Sequence, residues 1–285
     1  MKVVLAGAFG KLGADILKEL TSRGFEVVAA DKVPGEAEGS GGYSTRLIDV
    51  TRPKTLEGLC DGADAVISTV GLTGASKTVT HYDIDLEGNK NLLSEAKRAG
   101  VRKFIYISVL KAETDPSIPM LDAKNKFEAE LKRSGIPYMI YRPTGYFYDI
   151  ARVFLSMVEK GQVNLLGRKD VRANVIDTSD LARYIVEHME DSGKTVSIGG
   201  METYSYAEIA ALFFQAAGKP PIIKRVPAVL FDLLALTAKL RKTGRYAVIR
   251  FSKWTLSRDM VGETCYGRSS FKEYIKTCYR RDDGQ

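Results

Sequence analysis

Three glycines spaced three apart, Gly7, Gly10 and Gly13, are the residues of this 285-residue chain whose type and spacing point most directly to chemistry. They follow Val3-Val4-Leu5-Ala6, an apolar run that reads as a strand buried on both faces. They precede Leu12, Ile16, Leu17 and Leu20, which recur at helical spacing. A glycine turn between a strand and a helix N-terminus is an anion cradle. The first glycine allows a sharp turn, the second lets backbone approach a pyrophosphate, and the third lets the helix pack close to the strand. The spacing is G-x-x-G-x-x-G rather than G-x-G-x-x-G. It gains weight from its position and from Asp31, the acidic residue at the end of the next apolar strand. Gly7, Ala8, Phe9, Gly10, Lys11 and Leu12 are therefore expected to bind a dinucleotide. Asp31 suits the adenine-side ribose and would repel a 2′-phosphate by about 1–2 kcal/mol in a wet site, or roughly tenfold in affinity. Lys32 and Lys11 oppose that repulsion. The expected cofactor is NAD(P)H, with Asp31 favouring NAD.

The elements that position these residues alternate. Strands are expected at 2–6, 26–30, 46–49, 65–69, 103–108 and 138–141, with helices at 11–23, 80–98 and 121–133 between them. A Gly- and Glu-rich loop is expected at 34–42 and a proline-bearing loop at 111–120. Such alternation implies right-handed βαβ units and a parallel sheet. The expected fold class is α/β, a Rossmann-type doubly wound parallel sheet with a smaller C-terminal substrate-side region. In such sheets the ligand lies beyond the carboxyl ends of the strands. Asp49, Val50, Ser68, Thr69, Val70, Ser108, Arg142, Pro143, Thr144 and Gly145 fall there and are read as cofactor-lining. Tyr146 and Tyr148, just beyond, are read as substrate contacts, whereas Tyr138 and Tyr141 read as core. The dinucleotide-binding domain is placed at 1–150, with 173–200 returning to it, and a mostly helical region at 201–285. Within that second half, helices are expected at 149–160, 181–189, 205–217, 228–241 and 269–278, with strands near 163–166, 173–176 and 195–198.

Composition is that of a folded globular protein, 45% hydrophobic and 27% charged. Three scattered cysteines and two histidines offer neither a disulfide framework nor a metal site, which suits a cytoplasmic protein. Both histidines read as surface or structural. No apolar run reaches transmembrane length. The net charge is +7, with the basic excess late in the chain. No nucleic-acid motif accompanies it. That excess reads as a solvated helix face, or else as contact with an anionic membrane or a partner protein through the basic C-terminal region.

The glycine loop, the Ser108 strand and the segment AKNKFEAELKRSGIPYMIYRPTGYF resemble the atypical short-chain dehydrogenase/reductase superfamily, in its NmrA-like NAD(P)-binding branch. AKNKFEAEL, YRPTGYF, IDTSDLARYI, IGGMETYSYAEIA and the ending GETCYGRSSFKEY are similar to divinyl chlorophyllide 8-vinyl reductases. The resemblance implies a Ser that orients a carbonyl, a Tyr that moves a proton, and a Lys four residues later that holds the nicotinamide ribose. Ser108 and Lys124 match the first and last and are the expected catalytic residues. Met120 stands at the Tyr position, where it carries no proton and is expected to face substrate. The resemblance therefore implies an NAD(P)H-dependent oxidoreductase that reduces a conjugated or vinyl-bearing small molecule without the usual tyrosine. The alternative it implies is a non-catalytic NAD(P)-sensing regulatory or assembly protein.

Overall fold

The structure, a computed structural model, describes residues 1–34, 42–167, 170–241 and 245–280. The chain begins β1 (Lys2–Ala6), α1 (Lys11–Ser22), β2 (Glu26–Asp31), β3 (Tyr43–Leu47), β4 (Ala65–Ser68), α2 (Asn89–Arg98), β5 (Lys103–Ile107), α3 (Pro119–Arg133) and β6 (Tyr138–Pro143). It continues α4 (Phe147–Glu159), β7 (Val163–Leu166), β8 (Arg172–Ala173), α5 (Thr178–Glu187), β9 (Lys194–Gly199) and β10 (Tyr204–Ser205). It closes with α6 (Tyr206–Ala216), β11 (Ile223–Val226), α7 (Val229–Leu240), α8 (Tyr246–Leu256), β12 (Thr264–Cys265) and α9 (Phe271–Arg280). Two compact units result. The first comprises Met1–Gly74, Thr78–Arg142 and Leu181–Val196; the second comprises Ala75–Lys77, Pro143–Asp180 and Ser197–Gln285.

In the first unit the strands run in the order β3-β2-β1-β4-β5-β6, each pair parallel. The sheet continues through β9 and β12 to eight strands. This is a Rossmann-type α/β fold, in which the order reverses between β1 and β4. Val3 registers with Val27 on one side and Ala65 on the other, so the β1 carboxyl end sits at that reversal. Val3, Val4, Leu5 and Ala6 are fully buried, as their unbroken apolar run requires. One side of the sheet is sealed by a core that includes Val4, Val28, Val66, Phe104, Leu92 and Phe127. Phe127 of α3 lies edge-on to Tyr106 at 4.6 Å and 6.0 Å from Phe104, which fixes α3 against β5.

Local signals explain most boundaries. Gly24, at φ 76°, ends α1 in the left-handed conformation that L side chains resist. In the second unit Ser205 and Glu208 form a reciprocal capping box at the start of α6, with Ser205 Oγ accepting from the Glu208 N–H at 3.2 Å. Three expectations need correction. The strand expected at 46–49 is β3, Tyr43–Leu47; it is a largely exposed strand at one edge, and the buried Ile48 just beyond it carries the apolar signal. The helix expected at 80–98 is π-helical over Tyr82–Gly88 before it becomes α2. The strand expected at 173–176 is the two-residue β8. Helix α8 and strands β10, β11 and β12 had no counterpart in the sequence reading. The glycine-rich loop expected at 34–42 lies outside the described residues from 35 to 41.

Because Phe127 is fully buried between two aromatic neighbours, Phe127→Ala is expected to cost about 3–5 kcal/mol in urea unfolding, against less than about 1.5 kcal/mol for Phe127→Leu.

Candidate functional site

The glycine loop is shaped by what its glycines exclude. A Cβ on Gly13 would lie 2.0 Å from the Gly7 carbonyl oxygen, and one on Gly7, at φ 81°, would lie 2.5 Å from Thr69 Oγ1. Helix α1 can therefore approach the turn only because both positions lack a side chain. Gly10 caps α1 with no side-chain hydrogen bond, and no acidic residue stands in the first turn. The N-terminal N–H groups and the helix dipole are thus left to an anion. Ala8 and Leu12 are buried beneath the loop, Gly10 and Lys11 are exposed, and Phe9 is half-buried. These residues fit the pyrophosphate of a dinucleotide.

The two neighbouring strand ends supply the charges. Asp31 Oδ2 accepts from the Phe9 N–H at 2.9 Å, and its Oδ1 accepts from the Lys32 N–H at 2.6 Å. The carboxylate expected to meet ribose also ties down the glycine loop. Asp49 accepts from Thr51 Oγ1 at 2.7 Å and from the Thr51 N–H at 3.0 Å. Those bonds, with Lys32 3.3 Å away, hold its carboxyl below the usual range against the opposing effect of burial. Arg52 approaches the same carboxylate at 3.8 Å, and both cations are largely exposed. Sequence reading did not single out Arg52. Val50 is buried, and its carbonyl accepts from Asn91 Nδ2 at 2.9 Å.

Beneath the end of β4 lies a polar cluster of which sequence reading assigned Ser68, Thr69 and Lys124 but not His81, Asp85 or Asn89. Ser68 is fully buried and donates to Asn89 Oδ1 at 2.6 Å. Thr69 Oγ1 donates to the carbonyls of Ala6 and Gly7 at 3.1 and 3.0 Å, which locks the loop to β1. Lys124 Nζ sits 3.0 Å from Asp85 Oδ1, inside the protein, while Asp85 Oδ2 meets His81 Nδ1 at 2.8 Å and accepts from the Leu72 N–H at 3.3 Å. A Cβ on Gly71 would come within 2.9 Å of Asp85 Oδ1 and 3.2 Å of Lys124 Nζ, so the pair lies directly under the segment leaving β4. Burial alone would raise the Asp85 pKa, but Lys124 and His81 more than offset it and hold it below the usual carboxylate range. Burial would lower the Lys124 pKa, but Tyr106 and Asp85 raise it above the usual value, so the ammonium stays charged. His81, Asp85 and Asn89 are four residues apart, one helical face, which is the signal that could have found them. The π-helical turn that bears Asp85 is a form often met at functional sites.

Ser108 is buried, and its hydroxyl donates to Glu128 Oε1 at 2.6 Å. Glu128 lies one turn beyond Lys124 on α3 and receives Arg142 through two nitrogens, at 2.9 and 2.6 Å. Arg142 also meets Glu113 at 2.5 Å. The expected catalytic serine and the expected cofactor-lining arginine thus share one carboxylate. Three residues beyond Ser108, Lys111 holds φ 59°, a left-handed conformation uncommon for a lysine. Met120 is half-buried at the start of α3, one turn before Lys124.

Pro143, Thr144, Gly145, Tyr146 and Tyr148 belong to the second unit. Thr144 Oγ1 donates to the Asn174 carbonyl at 2.8 Å. Tyr146 and Tyr148 stack at 5.6 Å with an interplanar angle of 13°. Burial, and then Asp149, raise the Tyr148 pKa, so the phenol stays protonated. Asn174, fully buried, accepts from the Gly262 N–H at 2.9 Å and occupies the space a Cβ on Gly199 would need.

A model of the NAD(P)H-binding family matches residues 7–192. The chain is 26% identical to a Photosystem II assembly factor, Ycf39, of Synechocystis sp. over 261 residues, covering 90% of this chain and 76% of that protein. It is 27% identical to the divinyl chlorophyllide a 8-vinyl-reductase of Arabidopsis thaliana over 260 residues, 82% of this chain and 62% of that one. Among solved structures, a triphenylmethane reductase of Citrobacter sp. aligns with a TM-score of 0.78 at 17% identity, over 98% of this chain and 100% of the other. An NADPH-dependent quinone oxidoreductase of Escherichia coli aligns at 0.72 and 20% identity, over 97% and 99%. These likenesses bear on the fold.

The buried pair sets a test. Lys124→Met leaves the buried Asp85 without its ammonium partner, with His81 and the Leu72 N–H still beside it, and is expected to cost about 3–5 kcal/mol in urea unfolding, much of it recovered in Lys124→Met/Asp85→Leu. Because the Asp85 pKa is lowered in the fold, its contribution is present above the unfolded carboxylate value near 4 and is lost as pH falls through the lower folded value. The stability gap between wild type and Asp85→Asn should therefore be full at neutral pH and close below about pH 4.

Proposed function

The chain belongs to the NAD(P)H-binding family, and from that premise we propose that it is an NAD(P)H-dependent reductase of a conjugated or vinyl-bearing small molecule. The observation that carries this reading is the pairing of a complete dinucleotide cradle with a proton-relay position held by Met120. The cofactor supplies a hydride when bound. Reduction of a carbonyl needs a donor for the oxyanion that forms, and methionine cannot be one. Addition of hydride to an activated carbon–carbon double bond spreads the charge into the conjugated acceptor, and the proton finally adds at carbon, where water or a group of the substrate can supply it.

In this reading the backbone from Gly7 to Leu12 holds the pyrophosphate and Asp31 fixes the loop that does so. The Lys124–Asp85 pair stiffens the 70–72 segment from below, since Asp85 accepts the Leu72 N–H. The hydroxyl of Ser108 is directed by Glu128, with Arg142 balancing the carboxylate. The name of the Arabidopsis relative supports a vinyl-bearing substrate.

A second reading rests on the same buried groups. Ser108 is bonded to Glu128 and Lys124 to Asp85, so both expected catalytic side chains already have partners. That supports a protein that binds NAD(P)H without turnover, and the name of the Synechocystis relative supports an assembly role. Substrate-dependent oxidation of NAD(P)H across a panel of vinyl-bearing and enone compounds separates the two. Turnover sinks the second reading; tight cofactor binding with no turnover sinks the first.

The cofactor preference has its own test. Asp31 favours NAD, whereas Lys32 and Arg52 around Asp49 can receive a 2′-phosphate. Wild type is expected to bind NADH and NADPH within about tenfold of each other. Lys32→Glu/Arg52→Glu should weaken NADPH by about tenfold or more in calorimetry, and NADH by much less.

A further inference from the structure

Helix α7 is built inside out. Its buried residues are the alanines Ala235 and Ala238, while Val229, Leu230, Leu233, Leu234, Leu236 and Leu240 are between 45% and 74% exposed. At 100° per residue these six cover an arc of about 160°, nearly half the helix surface, along a length of about 16 Å. A surface helix of a globular protein ordinarily turns that stripe inward.

Its surroundings are strongly basic. Among described residues between 219 and 258 stand nine cations, Lys219, Lys224, Arg225, Lys239, Arg241, Arg245, Arg250, Lys253 and Arg258, against one acid, Asp232. In the full sequence Lys242 makes the 219–258 segment net +9, while the whole chain is +7, so everything outside the segment is net −2. The lone acid is paired with Lys253 at 2.5 Å. Arg225 is paired with Asp170 at 3.2 Å. Outward aliphatic side chains flanked along the chain by cations are complementary to a surface that is apolar inside and anionic outside. The character of the apolar residues narrows the occupant further. Hot spots of protein interfaces are enriched in Trp, Tyr and Arg, with Leu and Val under-represented, whereas the exposed arc of α7 is leucine and valine apart from Thr237.

We propose that α7 is an interfacial membrane anchor, lying in the headgroup layer of an anionic bilayer with its leucines among the acyl chains and the neighbouring cations on the lipid phosphates. It lies on the membrane and does not cross it, since no helix of the described residues is long and apolar enough to span. Binding of this kind requires both halves of the arrangement, because aliphatic insertion and electrostatic attraction to anionic lipid add.

The test is co-sedimentation of the full chain with phosphatidylcholine vesicles, with and without phosphatidylglycerol, at low and high salt. The protein is expected to pellet with the phosphatidylglycerol vesicles at low salt, about tenfold more than with phosphatidylcholine alone, and to be released as salt rises. Leu233→Gln/Leu236→Gln, which alters only exposed side chains, should lower that pelleting about tenfold without changing the thermal midpoint. Absence of pelleting with anionic vesicles at low salt overturns the proposal. So does pelleting that the double variant leaves intact. If the wild type instead self-associates in size exclusion, pellets with no vesicle and becomes monomeric in the double variant, the face belongs to a second copy and the proposal is overturned.

Discussion

The approach of α1 to the turn after β1 is the contact on which the first unit depends. The space between Gly13 and the Gly7 carbonyl admits no Cβ, and the space beside Gly7 is taken by the Thr69 hydroxyl. Three elements of the fold, β1, α1 and the end of β4, meet at a point with no room for adjustment. Close packing makes such a contact all-or-none: a methyl group there displaces the helix axis rather than compressing the interior. Because the same contact aims the helix N-terminus, the cradle and the fold share one constraint. Asp31 extends it to β2 by accepting the Phe9 N–H, so the loop is held from two strands.

That constraint was legible because it is local. Strand, glycines and helix are adjacent in the chain, and the buried β1 reads as one unbroken apolar run. Central strands and long helices followed from the same periodicity. Edge strand β3 did not, because most of its side chains face solvent and its apolar neighbour Ile48 lies outside it. Helix α8 was missed for a related reason: Trp254 is its one buried residue, so it carries no apolar stripe for periodicity to find. The site divides in the same way. The glycine loop and Asp31 are set by neighbours in sequence. The partners of Lys124 and Ser108 are not, since Asp85 is 39 positions before the lysine and Glu128 is 20 positions after the serine. Charge balance in the interior is a property of the folded sheet, and a single carboxylate in a helix offers no sign that it will be buried.

The buried charges tie together the positions expected on the nicotinamide side, so that Ser108 and Lys124 depart from the expected roles as a set. A lysine that lowers the pKa of a neighbouring tyrosine does so by aiming its charge at that phenol. Lys124 is instead beside Asp85 and Tyr106, with its ammonium held charged and its carboxylate partner held ionised. A serine that orients a carbonyl must present a free hydroxyl donor, whereas that of Ser108 goes to Glu128. In the proposed reductase, with Met120 between them along the chain, proton supply would pass from side chains to solvent or substrate, while the hydrogen bond from the Leu72 N–H to Asp85 keeps the 70–72 segment fixed. Rigidity of that kind serves hydride transfer, which depends on fixed distance and angle more than on a relay, and it equally serves a protein that only reads whether the dinucleotide is there. What distinguishes the two is whether an acceptor that takes hydride on carbon can approach, because such an acceptor takes its proton on carbon too, where solvent can supply what the missing tyrosine would have given an oxyanion.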